Sequence, residues 1–168
     1  RFISLDLNTW RPGNALAATE YWRPPAPDGE TISENDAAET FRQLFVESIK
    51  LHMRADVRVG SCLSGGLDSS SIVSVQASLW PANAEPLHAI SAVFPHSSVD
   101  ESSYVDAVIQ RTGVRSNRLT LDPHDVFEDS AAIVRAHDEP YGSTSIHAQY
   151  RVFSRARDLG IKVMLDGQ

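Results

Sequence analysis

Polar and apolar residues alternate along Phe2-Ile3-Ser4-Leu5-Asp6-Leu7, the rhythm of a half-buried strand. Arg11-Pro12-Gly13-Asn14 is turn-rich, and Tyr21-Trp22 can return as a second strand, so this segment predicts a short β-hairpin. Pro24-Pro25-Ala26-Pro27-Asp28-Gly29 then predicts a stiff, extended linker. From Ser33 the period becomes helical. Ser33 with Asp36 has the spacing of a capping box, and Ala38, Phe41, Leu44, Phe45 and Ile49 share one face.

Residues 57–63 then predict a strand, and a glycine loop at 64–69 leads into a helix over 69–80 with Ile72, Val73, Val75 and Leu79 inward. The pattern repeats: a strand at 87–94, a helix at 101–112 closed by Gly113, and a strand at 116–121. A helix capped by Asp122-Pro123 follows, then a helix at 145–159 ended by Gly160 and a strand at 161–165. Strands alternating with helices predict an α/β fold: a parallel sheet of four to five strands with helices on both faces. Residues 1–30 are expected to be the end of a preceding domain with its linker, and 31–168 the first part of a nucleotide-binding domain. The start without methionine and the stop after Met164-Leu165-Asp166-Gly167-Gln168 predict a fragment of a longer protein.

Ser64-Gly65-Gly66-Leu67-Asp68-Ser69 lies between a predicted strand and helix, where open α/β sheets bind ligands. Paired glycines let backbone N–H groups approach an anion, and the helix start adds unpaired N–H groups and a positive dipole end. Ser64, Ser69 and Ser70 offer hydroxyls. Asp68 fits beside phosphate if a cation lies between them, and Mg²⁺ suits a carboxylate plus phosphate oxygens. A tight turn would explain the glycines but not serines flanking an aspartate. A Walker loop would need Gly-Lys-Ser/Thr, and a dinucleotide loop a third spaced glycine; both are absent.

The run Ser-Gly-Gly-Leu-Asp-Ser-Ser resembles the pyrophosphate loop of the N-type ATP pyrophosphatases, which have a Rossmann-like adenine nucleotide alpha hydrolase fold and split ATP between its α- and β-phosphates. Further stretches resemble the glutamine-dependent asparagine synthetases: Arg54-Ala55-Asp56-Val57-Arg58-Val59-Gly60, Tyr21-Trp22-Arg23-Pro24, Leu87-His88, Asp100-Glu101, Asp138-Glu139-Pro140 and Asp166-Gly167-Gln168. The resemblance implies that the backbones of Leu63 and Ala92 contact adenosine. It implies that Ser64, Gly65, Gly66, Leu67, Asp68, Ser69 and Ser70 hold phosphates with Asp68 on Mg²⁺, and that Asp166 and Gly167 touch the nucleotide near ribose and α-phosphate. Asp138 and Glu139 become candidate catalytic carboxylates. The implied reaction adenylates the aspartate β-carboxylate, and ammonia from glutamine then forms the amide.

Three departures qualify this. The family's glutaminase, with its catalytic first cysteine, is missing, and Cys62 lies inside a predicted strand. The family's second loop, usually Ser-Gly-Asp/Glu-Gly-x-Asp-Glu, is cut short, so an isolated chain of this extent is expected to be inactive. Gln168 stands where that loop has an acid, and Asp166 where it has serine, which leaves the acceptor open. A related amidotransferase or cyclase with a sugar, peptide or β-lactam precursor as acceptor remains an alternative, as does an ATP-binding module without turnover.

Composition narrows the partners. A net charge of −7 argues against a nucleic-acid surface. No apolar run can span a membrane and no signal peptide is visible, so a cytoplasmic location is expected. The single Cys62 allows no internal disulfide and is expected to be buried and inert. No histidine pair has metal-ligand spacing, although His96 and His137 could lie near the site. Trp10, Trp22 and Trp80 are expected at a core edge or domain junction, and Arg151, Arg155 and Arg157 on a solvated helix face. A homodimer is the expected full-length assembly.

Overall fold

The computed structural model describes residues 1–168 except Pro27, Asp28, Glu30, His96 and Gln168, so readings that rest on those five positions lie outside the described residues. The chain forms two compact units, Arg1–Ala38 and Glu39–Gln168.

In the first unit the predicted hairpin reduces to one antiparallel bridge, in which Phe2 and Thr19 exchange N–H···O bonds of 2.9 Å. Chain reversal begins early, because Asp6 O accepts from Trp10 N at 2.8 Å and Asp6 Oδ1 from Asn8 N at 2.9 Å. The alternating segment therefore ends in a turn before a ladder can form. Phe2, Ile3, Leu5, Leu7, Tyr21 and Trp22 are all exposed, and an isolated two-stranded hairpin without a covered face is marginal at best. Ser33 does cap the next helix: its Oγ accepts from Asp36 N at 3.2 Å and donates to the Asp36 carboxylate at 2.7 Å.

That helix, α1 (Glu34–His52), has the predicted period but not the predicted burial. Ile49 is buried, whereas Phe41 and Leu44 are each 67% exposed. Ala38 is also exposed and Phe45 half-buried. The two phenylalanine rings stack on each other, 5.8 Å apart at 12°. Periodicity marks a face without guaranteeing a neighbour to cover it.

The second unit alternates as predicted: β1 (Val59–Cys62), α2 (Leu67–Leu79), β2 (His88–Val93), α3 (Ser102–Thr112), β3 (Arg115–Thr120), α4 (Asp125–His137), α5 (Thr144–Asp158) and β4 (Val163–Leu165). The strands form one parallel sheet in the order β3-β2-β1-β4. Each successive side chain on a strand turns to the opposite face. Ala89 accordingly joins a core with Leu63, Val73 of α2 and Val105 of α3. Its neighbour Ile90 joins a second core with Val152 and Ala156 of α5 and Ile161. Helices thus cover both faces.

Local signals explain most helix ends. Gly113 takes a left-handed φ of 70° and donates to Ile109 O, closing α3. Ser143 Oγ accepts from Ser145 N and starts α5. Asp122 acts one turn early: its carboxylate accepts from His124 N at 2.9 Å, and α4 proper begins at Asp125. Two packing expectations change. Arg151 is not merely solvated, since it pairs with Asp129 and, at 3.4 Å, with Asp125 of α4. Trp80 packs against the first core and donates to Glu85 O at 2.8 Å, whereas Trp22 is exposed.

Candidate active site

Strand order places the site. From β1 the chain moves outward to β2 and β3, then returns to β4 on the other flank of β1. The order reverses at β1, and ligands of open α/β sheets bind outside the carboxyl ends of strands at such a reversal. The segments leaving β1 and β4 are residues 63–67 and 166–167.

The first of these is a loop closed on itself. Ser69 is buried, and its Oγ accepts from Ser64 N at 3.2 Å, donates to Gly66 O at 3.3 Å and lies 3.0 Å from Ser64 Oγ. Ser64 Oγ accepts from Gly66 N at 3.2 Å. Ser69 is therefore the staple of the loop. Gly65 has φ +97°, and a Cβ there would sit 2.9 Å from the Glu101 carbonyl oxygen. Only glycine fits both the conformation and the space.

Gly66 is the N-cap of α2 and supplies no side-chain cap. The first intrahelical bond of the loop runs from Ser70 N to Gly66 O at 3.1 Å. The N–H groups of the preceding residues in that turn have no helical partner and point out along the axis, where the helix dipole is positive. Leu67, 82% exposed, and Asp68, also exposed, stand at this tip. Gly167 closes the other side. A Cβ on it would lie 3.1 Å from Asp68 Cβ and 3.2 Å from Ser69 N. The fold thus brings Asp68, Ser69 and Gly167 together from segments a hundred residues apart in sequence.

Beside the loop is a cavity of about 210 Å³ lined by Cys62, Leu63, Ser64, Ile90, Ala92, Phe94, Val99, Glu101, Ala148, Gln149, Val152 and Asp166. It has an apolar body and a few polar groups, the usual character of a small-molecule site. Asp166 is its most elaborated polar group. Its Oδ1 accepts from Gly167 N at 2.8 Å and its Oδ2 from Gln149 Nε2 at 3.3 Å. The Cys62 thiol also hydrogen-bonds this carboxylate; burial first, then the charge of Asp166 and that hydrogen bond, push the thiol up to about 12. Cys62 is therefore a protonated donor and not a nucleophile. Asp100 stiffens the far wall: Ser102 Oγ at 2.7 Å and Phe94 N at 3.2 Å donate to its carboxyl, and hydrogen bonding, Ser102 first, holds it below its ordinary range.

Of the residues singled out from sequence, Leu63, Ser64, Ala92 and Asp166 line this cavity, and the loop and Gly167 adjoin them. Asp138 and Glu139 do not line it. Asp138 is the left-handed C-cap of α4 at φ 59°, and both side chains are exposed. His137 is the exposed last residue of α4. Glu101, Gln149 and Val152 were missed as cavity residues. Glu101 was visible only as part of an acidic pair, and nothing local marks Gln149 or Val152, which reach the site because α5 crosses the sheet at β2. For a cation the fit is partial. Asp68 is exposed at the phosphate-facing tip, as a carboxylate shared with phosphate oxygens must be. No group of three or more His, Cys, Asp or Glu side chains that could hold a metal occurs among the described residues.

A family profile described as asparagine synthase matches residues 40–168. A putative glutamine-hydrolysing asparagine synthetase 2 of Methanocaldococcus jannaschii is 31% identical over 148 residues, 88% of this chain and 28% of that protein. Amidase chyE of Penicillium rubens is 26% identical over 175 residues, 94% of this chain and 26% of that protein. The chain thus spans between a quarter and a third of the length of these curated relatives. Among solved structures, an NH3-dependent NAD synthetase from Campylobacter jejuni aligns with a TM-score of 0.48 at 12% identity, covering 82% of this chain and 58% of that one. No helix among the described residues is long and apolar enough to cross a membrane.

Proposed function

The chain belongs to the asparagine synthase family, a family of ATP-dependent amide-forming ligases, and from that premise we propose that it carries the ATP site of an asparagine synthetase reaction. The observation that carries this reading is the α2 N-terminus: a glycine-capped helix start whose first N–H groups have no helical partner, opening beside a mainly apolar cavity of about 210 Å³. In the proposed arrangement the loop from Ser64 to Ser70 receives the polyphosphate, and the wall of Leu63 and Ala92 receives the base through backbone groups. Gly167 seals the junction between phosphate and sugar. Mg²⁺, when bound, neutralises phosphate charge, and Asp68 is the residue that would hold it.

In the first step the substrate β-carboxylate oxygen attacks the α-phosphorus. The bond to the bridging oxygen breaks with its electron pair, and pyrophosphate leaves. In the second step ammonia attacks the acyl carbon and AMP departs, giving the amide. The N–H groups of α2 act where charge develops on the leaving pyrophosphate, which is electrostatic stabilisation of the transition state. Holding the two reactants in line supplies the rest. Ammonia is taken to come from glutamine on a glutaminase domain, and Asp138 and Glu139 remain proposed catalytic carboxylates outside the cavity wall.

The similarity to an amidase favours one second reading, in which the same adenylation serves a different acceptor. Pyrophosphate release, measured with protein expressed from its full coding sequence, separates the two. Release with ATP, Mg²⁺, aspartate and ammonia, yielding asparagine, supports the first. Release only with another carboxylate supports the second. ATP binding without pyrophosphate release under any carboxylate contradicts both and leaves a non-catalytic nucleotide module.

A further inference from the structure

We propose that the cavity at the amino end of the sheet is a separate ligand site for a small organic carboxylate with an apolar body, whose carboxylate group is bound between His88 Nε2–H and the Arg58 guanidinium. This site lies at the opposite end of the strands from the α2 N-terminus and does not rest on the ATP reading.

Hydrogen bonds fix where the ring proton of His88 lies. Asn117 Nδ2 stands 3.1 Å from Arg115 O, 3.3 Å from Ala89 O and 3.2 Å from His88 Nδ1. Two of these are carbonyl oxygens, which only accept, so the amide turns its N–H groups and not its oxygen toward all three. His88 Nδ1 therefore presents a lone pair, and the proton of the neutral ring is on Nε2. Among the described residues, the group within hydrogen-bond distance of Nε2 is Arg58 Nη2 at 3.4 Å, and a guanidinium accepts nothing. His88 is only 7% exposed. A buried N–H group that meets another donor lacks the acceptor such a group requires.

Charge indicates what that acceptor is. Arg115 is the register partner of His88 on β3, so the two side chains share a face of the sheet. Arg155 stands in the last turn of α5. Burial first, then Arg58 and Arg115, and Arg155 more weakly, lower the His88 pKa, with Glu85 opposing them. Three guanidinium groups against one acid make a positive spot around a neutral ring, in a chain of net charge −7. An anion with two oxygens can take the Nε2–H and an Arg58 N–H together, as a carboxylate does. The cavity narrows the choice further. It measures about 620 Å³, and apart from Asp56, Arg58, Glu85 and His88 its lining is apolar, with Trp80 the largest group. Asp56 and Glu85 disfavour a doubly charged phosphate, and the apolar lining suits a hydrocarbon body.

The test uses protein expressed from its full coding sequence, titrated by calorimetry with 3-phenylpropanoate. A dissociation constant of about 1 mM or tighter is expected, with 3-phenylpropanol and inorganic phosphate each binding about tenfold or more weakly. Arg58→Met and His88→Leu are each expected to weaken 3-phenylpropanoate by about tenfold, in protein whose circular dichroism matches the wild type. Glu85→Gln is expected to tighten it by about threefold, because the ion pair that competes for Arg58 is removed. A variant that merely damages the fold cannot produce that gain. The proposal is overturned if the wild type does not bind the acid, if acid and alcohol bind equally, or if phosphate binds more tightly than the acid. It is also overturned if affinity is the same as wild type in both Arg58→Met and Glu85→Gln.

Discussion

The two ends of the same sheet treat polar groups in opposite ways. At the amino end, beside Val59 and His88, polar side chains lie against one another. Arg58 donates to Leu159 O at 2.8 Å, pairs with Glu85 at 3.0 Å and lies 3.4 Å from His88 Nε2. Asn117 Nδ2 lies 3.2 Å from His88 Nδ1 and also donates to Arg115 O at 3.1 Å. At the carboxyl end, the helix start at Gly66 has no side-chain cap, Asp68 is exposed, and Asp166 projects into a cavity. A cavity of about 620 Å³ at the amino end is larger than the one at the carboxyl end, and two of the charges that line it, Arg58 and Glu85, are paired with each other.

Four changes break or sharpen this contrast. The largest effect is expected for Gly65→Val, which places a β-branched side chain at φ +97° against the Glu101 carbonyl. Strain of about 1–3 kcal/mol is expected, and the loop must shift to relieve it. ATP affinity should fall by about tenfold or more, read by calorimetry. His88→Leu should act at the other end alone. Removing the buried ring leaves Asn117 and Arg58 without that partner and is expected to cost about 1–3 kcal/mol in denaturant unfolding, with ATP affinity unchanged.

A smaller, opposite effect is expected for Gln76→Met. Gln76 is fully buried on α2, and neither Oε1 nor Nε2 has a hydrogen-bond partner among the described residues. A thioether of similar shape removes that penalty and should stabilise by about 1 kcal/mol, seen as a raised denaturation midpoint. The smallest effect is pH-linked. Burial first, then the charge of Arg58, lowers the His88 pKa from 6.5. The unfolded chain therefore binds a proton before the folded one does. This contribution to stability is complete above pH 6.5 and is lost as pH falls from there toward the folded value. His88→Leu should flatten that part of the stability profile relative to wild type.

Sequence pattern read the sheet well because most strands and helices of the second unit have their own period, cap or glycine stop; α2 is the exception, burying Ser69, Val73 and Gln76 while Ile72, Val75 and Leu79 of its expected inward face are half-buried. Gly113 and Gly160, both at φ 70°, end helices where a residue-by-residue reading put the ends. It overreached where a pattern needs a partner. The alternation at Phe2 has one bridge, and Phe41 and Leu44 face outward although their spacing is right. For the site, the loop was legible because it is contiguous and its chemistry is local. The inward role of Ser69 was not, because adjacent serines look alike until the turn is built. Gln149 and Cys62 could not be connected to Asp166 in advance, since only the packing of α5 and the pairing of β4 with β1 bring them to one carboxylate.

The most direct test of the contrast is amide hydrogen exchange across both ends of the sheet, with and without saturating Mg·ATP, on protein expressed from its full coding sequence. Protection is expected to rise at residues 64–70 and 166–167 and to stay unchanged at residues 55–58 and 80–88. Added protection at residues 80–88, with none at residues 64–70, would contradict the assignment of the ATP site to the α2 N-terminus.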